Sequence, residues 1–426
     1  MSPLRKAGRL SLDGTPLVAL PLVALVLAAC ASDVGGVPRD EGRALPAGED
    51  AGGSSQAPRS TIPLDQAGCL DLTAHHPRPI VLAGKLVVTY YEPSLEQRIC
   101  EWDEETTTYW CPSTAQESAA CAEVAGVFWC PNANPPADRL GDPQELASFE
   151  LSNPGAGVRR WTNNLVHEAE LDISPDGKKV VYAVRKKMDA FDDGMGIWVA
   201  DSDGNNARQV VDRKGHTGIP TWLPPGNDRF TFIADGLHVF DMRTSTTLDV
   251  AVAGFDSGLI IDPEGSHDGK KIVFKADGTG GNAPSIYVMD FDGTSGSTPK
   301  QLTRGYSDHD PVFSRDNRKI YFERYYGPGE WDQYDSGRLE NPEINQWGIV
   351  EVDLQSGAER VLVPHDRCGK HFFWLPTVSP DGKHIMFIHD YVAEDGYQDL
   401  WVADADGEHA QPVPGTRGFH WFDWSE

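Results

Sequence analysis

Five histidines, His167, His216, His309, His371 and His420, stand a few residues ahead of apolar segments that end in Ser or Pro. Imidazole is a common ligand for transition metals, so a histidine that returns along a chain raises the chemistry of a metal centre. The spacing tempers that idea. His167 lies seven residues before Ser174, His309 five before Ser314, His371 eight before Ser379 and His420 five before Ser425, which sets the rings at different depths. Cysteine is the second reactive type: Cys30 stands apart, and Cys69, Cys100, Cys111, Cys121, Cys130 and Cys368 make six more. No Cys-x-x-Cys or Cys-x-x-His spacing occurs, which argues against zinc. Three turns read Asp-x-Asp-Gly, at Asp201, Asp290 and Asp404, but the further oxygens and the twelfth-position Glu of a calcium loop do not follow, and a hairpin turn accounts for them. A serine hydrolase domain is excluded, because no Gly-x-Ser-x-Gly elbow is present and no segment is left over to build its sheet.

The N-terminus sets the compartment in which these groups work. Arg5, Lys6 and Arg9 precede "PLVALPLVALVLAA", an apolar run too short to span a bilayer comfortably, which reads as an export signal over residues 1–29. "LAAC" (Leu27 to Cys30) closes it and resembles the lipobox of bacterial lipoproteins, in which the Cys is acylated and becomes the mature N-terminus. The resemblance implies membrane attachment through an acyl chain on Cys30. Ala31 is not the Asp associated with inner-membrane retention, so an outer-membrane lipoprotein, periplasmic or surface-exposed, is expected. Residues 30–63 are rich in Gly, Pro, Ala and charge, a tether reaching roughly 30 Å as a random coil. In an oxidising compartment six cysteines suggest three disulfides, for which 15 pairings exist. "CEWDEETTTYWCP" and "CAEVAGVFWCP" each look like a hairpin closed at its base, so Cys100 with Cys111 and Cys121 with Cys130 are expected, leaving Cys69 with Cys368.

Composition narrows the partners. The 426 residues carry a formal charge of −27, which excludes a nucleic-acid partner and suits anionic lipid headgroups poorly. With 43 Gly and 31 Pro the chain favours many turns and short strands over long helices.

From about residue 165 the chain repeats itself. A short strand ending in or near Asp recurs as "IWVAD", "LHVFD", "IYVMD", "VEVDL" and "LWVAD". Before each stands another short strand ("KVVYAV", "RFTFIA", "KIVFKA", "KIYFER", "HIMFIH"), and before that an apolar run ending in a turn. Period-two alternation makes these half-buried β-strands. The turn is spelled Ser-Pro-Asp-Gly at Ser174 and Ser379 and varied at Ser266 and Ser314. Pro presets φ, Asp bonds back to the backbone, and Gly accepts the left-handed position. This pattern resembles the propeller repeats of TolB and related periplasmic proteins, which implies an all-β, six-bladed β-propeller over residues 145–426. TolB proper has an α/β domain ahead of its propeller; here residues 64–144 form a Cys-rich β segment, so the chain is not expected to be TolB itself. The unit ending at Ser425 has only its first strand. Unpaired blade edges are unfavourable, so N-terminal strands must complete it. "ELASFELSNPGAGVRRWT" fits the third and fourth positions, and "GKLVVTYY" or "GVFWC" the second.

In such a ring the short turns share one face and the long insertions share the other. The longest insertion, Glu323 to Gly348, holds Tyr325, Tyr326, Trp331, Tyr334 and Trp347, an expected recognition surface for an envelope protein or a glycan. A monomeric, non-enzymatic binding protein without cofactor is the leading expectation. The alternative follows from a resemblance to oligogalacturonate lyases, whose metal sits in a His cluster on the channel: a metal-dependent polysaccharide lyase using the five histidines above. If Cys30 carries the anchor, Cys30→Ala yields unprocessed precursor that takes up no labelled fatty acid; normal labelling of this variant would remove the anchor.

Overall fold

A computed structural model describes residues 62–90, 101–103, 108–113, 121–124, 127–132, 144–162, 166–185, 194–215, 217–255, 260–278, 282–327, 346–391 and 398–425. The strands in chain order begin with β1 (Lys85–Tyr90), followed by the Cys-rich β2 (Glu101–Asp103), β3 (Thr108–Ser113), β4 (Ala122–Val124) and β5 (Val127–Asn132), then β6 (Glu145–Glu150) and β7 (Val158–Arg160). Five blades follow in simple succession. Blade one is β8 (His167–Ile173), β9 (Lys179–Arg185), β10 (Gly194–Asp201) and β11 (Arg208–Val211). Blade two is β12 (Gly218–Trp222), β13 (Arg229–Ile233), β14 (Leu237–Asp241) and β15 (Thr246–Asp249). Blade three is β16 (Ile260–Gly265), β17 (Lys271–Gly278), β18 (Asn282–Asp290) and β19 (Lys300–Gln301). Blade four is β20 (Ser307–Phe313), β21 (Lys319–Tyr325), β22 (Trp347–Asp353) and β23 (Glu359–Val363). Blade five is β24 (His371–Val378), β25 (His384–Tyr391), β26 (Gln398–Asp404) and β27 (Gln411–Pro412).

The sixth blade joins the two ends of the described chain. Its order is β28 (Phe419–Ser425), β1, β6, β7, so the second strand is Lys85–Tyr90 and the Cys-rich strands form a separate sheet, β2-β3-β5-β4. Register runs from Lys85 opposite Ser425 to Tyr90 opposite Phe419. Lys85 thus takes the place that Lys179, Lys271 and Lys319 hold in other blades. Gly84, at φ 92°, is required there, since a Cβ would stand 2.2 Å from the Ser425 carbonyl oxygen.

The anchor serines show why the turns are spelled as they are. Ser174 Oγ donates to Asp176 at 2.8 Å and accepts the Lys179 N–H at 2.9 Å. Ser266, Ser314 and Ser379 repeat both bonds. The left-handed position is filled by Gly177, Gly269, Asn317 and Gly382.

Apolar clusters fill the space between consecutive blades, and period two decides which side each residue serves. Leu86 and Val88 of β1 pack with Met386, Ile388, Leu400 and Val402 of blade five, whereas Val87 packs with Val180, Tyr182 and Val184 of blade one. Ahead of β1, residues 62–83 run along blade five: Ile62 is buried with Leu362 and Val363, His75 contacts the Ala410 carbonyl, and Gln411 Nε2 donates to the Arg78 carbonyl at 2.8 Å. The expected Cys69–Cys368 disulfide fastens this segment, and Cys121–Cys130 is likewise present. Cys111 is disulfide-bonded; Cys100, like Cys30, lies outside the described residues.

Closure through β1 and β28 predicts that deleting residues 419–426 abolishes cooperative unfolding and exposes residues 84–162 to proteases. A wild-type melting temperature in that truncation would contradict the closure.

Candidate functional site

The loop-bearing face disperses the sequence-derived candidates. Tyr325 and Trp347 are only 3% and 5% exposed; as the last residue of β21 and the first of β22 they pair across the ladder and pack with Phe372. They hold the base of the insertion instead of facing a partner. Tyr326 stacks on His365 at 4.2 Å between ring centroids. Trp331, Tyr334 and His216 lie outside the described residues.

The four described histidines of the expected ring sit in separate surroundings. His167 Nδ1 accepts the Gln144 N–H at 3.3 Å; His309 Nε2 meets Ser307 Oγ at 2.8 Å; His420 lies edge-on to Trp374 and Trp421. His371 Nδ1 meets His389 Nε2 at 2.9 Å, and His389 Nδ1 meets Asp399 at 2.8 Å, a linear bonded chain. Burial pushes His167 and His371 down to about 4, helped by Arg185 and His389 respectively, so both are neutral at pH 7. Among the described residues, the one group of three metal-ligating side chains with converging ligand atoms is Cys69, Asp366 and Cys368, whose sulfurs are bonded to each other. Asp308 is structural, as its Asp-x-x-Pro setting suggests: it binds Arg324 through both oxygens at 2.7 and 2.9 Å, fully buried.

The axis of the ring presents a different constellation. A cavity of about 520 Å³ runs between the innermost strands and opens on the turn face, past Pro175, His267, Arg315 and Pro380. Its walls carry Glu170 and Asp172 from β8, Asp262 and Glu264 from β16, Asp310 from β20 and Asp423 from β28. Each inner strand of the five successive blades is bulged, and at each bulge one non-glycine residue takes positive φ: Glu170 (50°), Ile219 (52°), Asp262 (52°), Asp310 (45°) and Leu375 (50°). Such backbone is uncommon outside glycine, and a bulge re-aims side chains, here around the channel. In four of the five, Pro follows (Pro220, Pro263, Pro311, Pro376), a residue that donates no ladder bond.

These side chains also cross every seam between blades. Glu170 Oε2 accepts the Ile219 N–H at 2.7 Å and Asp172 accepts that of Trp222, joining blades one and two. Thr221 donates to the Pro263 carbonyl at 2.6 Å, Glu264 accepts from Phe313 at 3.0 Å, Glu323 from Leu375 at 2.6 Å, Thr377 donates to Asp423 at 3.2 Å, and Asp423 accepts from Ile173 at 2.9 Å. Gly218 leaves room for this arrangement, because a Cβ would stand 2.4 Å from Glu170 Oε2. Glu170 is balanced by a buried ion pair with Arg185.

The remaining carboxyl groups are short of cations. Burial raises Asp172 well above the usual carboxylate range, reinforced by neighbouring Asp423; burial raises Asp310 likewise, reinforced by Asp262 and Glu323. Glu264 is pushed by burial up to about 8. The channel therefore holds protonated carboxyl groups at neutral pH, hydrogen-bond donors and acceptors inside an acidic funnel. The signal for this site lies at the second and fourth residues before each anchor Ser: Glu170 and Asp172 before Ser174, Asp262 and Glu264 before Ser266, Asp310 before Ser314, Asp423 before Ser425. Attention to histidines passed over it.

No protein-family model matches the chain, and no curated protein matches it. Solved structures do. TolB from Acinetobacter baumannii superposes with a TM-score of 0.54 at 17% identity over 81% of this chain and 67% of that one. A putative TolB from Agrobacterium tumefaciens aligns with a TM-score of 0.45 at 15% identity (65% and 96% of the two chains), and an oligogalacturonate lyase in complex with manganese with 0.43 at 12% (75% and 90%). The fold is a six-bladed β-propeller of the TolB type.

An acid whose pKa is raised on folding holds its proton more tightly folded, so its contribution is complete below its ordinary pKa and is lost as pH rises towards the folded value. For Glu264 that window runs from 4.5 to about 8. Glu264→Gln keeps the acceptor for the Phe313 N–H, so its melting temperature relative to wild type rises steadily from pH 5 to pH 8. A constant difference across that range would mean that Glu264 is not buried as a protonated acid.

Proposed function

We propose that this protein is a non-enzymatic binding scaffold of the bacterial cell envelope, held at the membrane through an acylated Cys30, and that its ligand enters the axial channel from the turn face. The supporting observation is the channel itself: a cavity of about 520 Å³ with carboxyl groups from four blades converging on it. Enclosed sites with a few convergent polar groups are where proteins take ligands. The occupant we infer is a segment of another envelope protein bearing Lys or Arg, since an acidic funnel draws cations and repels polyanions. An acidic glycan fits poorly for the same reason.

Binding is favoured over catalysis by what the carboxyl groups already do. Asp172, Glu264 and Asp423 each accept a backbone N–H of the next blade. A catalytic acid or base must reorganise its hydrogen bonds each turnover, and here that would unpin a seam.

A photo-crosslinking residue in place of Pro380, at the turn-face mouth, is expected to capture a protein partner in cells, and the same residue in place of Arg367, on the loop face, is not. Adducts confined to the position of Arg367 would move the site to the loop face.

A further inference from the structure

Asp423 of β28 and Asp172 of β8 meet where the sixth blade abuts the first. Asp423 spends its oxygens on three donors: the Ile173 N–H at 2.9 Å, the Thr377 hydroxyl at 3.2 Å and the Trp424 N–H at 2.7 Å. Asp172 accepts the Trp222 N–H. The two carboxyl groups are also hydrogen-bonded to one another. Two carboxylates have no proton to offer, so this contact exists only while one of them is protonated. We propose that the pair is a proton-operated latch: one shared proton holds β28 against blade one, and releasing it to water in the channel leaves two carboxylates that push the seam apart.

The surroundings favour this reading over a static ion pair. The groups acting on the pair are Glu264 from β16, His267 from the turn that follows it, and Arg315 from the turn after β20. Glu264 adds repulsion. Arg315 is engaged elsewhere, donating to the Ser379 carbonyl at 3.1 Å. Among the described residues, no Lys or Arg forms an ion pair with Asp172 or Asp423. Charge lost as the shared proton leaves is therefore not replaced from the protein, and like charges in contact are costly where water is scarce. Both groups line the cavity, so the proton has a route out. The latch goes beyond the binding reading and stands whether or not the channel takes a ligand.

The test is hydrogen exchange of the β28 amides in the full chain, corrected for base catalysis, at pH 5.5, 7 and 8.5. Wild type is expected to lose at least tenfold protection in β28 across this range while β17 and β18 of blade three stay protected. Asp172→Asn is expected to hold β28 protection flat, because the amide oxygen still accepts from Trp222 while its NH₂ donates permanently to Asp423. Equal slopes in the two proteins, or a flat wild type, would overturn the latch. Should Asp172→Asn not fold, infrared spectroscopy of wild type decides: a carboxylic-acid carbonyl band must disappear over the pH range in which β28 opens, and a band absent at pH 5.5 or disappearing elsewhere would overturn the proposal equally.

Discussion

Every seam of this propeller is crossed by a side chain of an inner strand reaching a backbone or side-chain group of the next blade. Apolar packing between blades supplies most of the burial, but it is non-directional and leaves blades free to slide. The crossing bonds, from Glu170 to Ile219 around to Asp423 and Ile173, fix the angle at which each blade meets its neighbour. The sixth blade depends on them most, because β1 and β28 come from opposite ends of the described chain and meet through pairing alone.

That use of acidic side chains has a consequence for the axis. A carboxyl group placed to reach across a seam from an inner strand also faces the channel, and five bulges at equivalent positions keep the geometry similar from blade to blade. Desolvation then favours the protonated form, and the nearest cations, Arg185 and Arg315, are committed to Glu170 and to the Ser379 carbonyl. Structural seam bonds and an acidic funnel are two aspects of one arrangement.

Much of this was legible in the residues. Period-two strands, the Ser-Pro-Asp-Gly turns and a last unit with one strand specified the blades and the need for N-terminal strands to complete the ring, because turn chemistry and edge pairing are local rules. The pairing of Cys69 with Cys368 and of Cys121 with Cys130 was also readable. The choice of Lys85–Tyr90 over the Cys-rich strand as partner of β28 was not, since both have the same alternation and register is set by contacts far apart in sequence. The channel carboxyl groups were missed for a related reason: spaced by two in a strand, they read as a solvated face, and only ring closure turns that face inward. Tyr325 and Trp347 drew attention as loop aromatics, yet one residue either way decides between a strand end and a loop, and the ladder claims both.

Trp222, Trp421 and Trp424 line the channel, so tryptophan fluorescence reports its occupancy. The most direct measurement is a titration of the mature protein with a Lys- and Arg-rich peptide and with its Glu-substituted counterpart, at low and at physiological salt. A saturable one-to-one change with the basic peptide alone, weakening as salt rises, is the predicted result. No change with either peptide, or an equal change with both, would contradict a channel that selects cationic ligands.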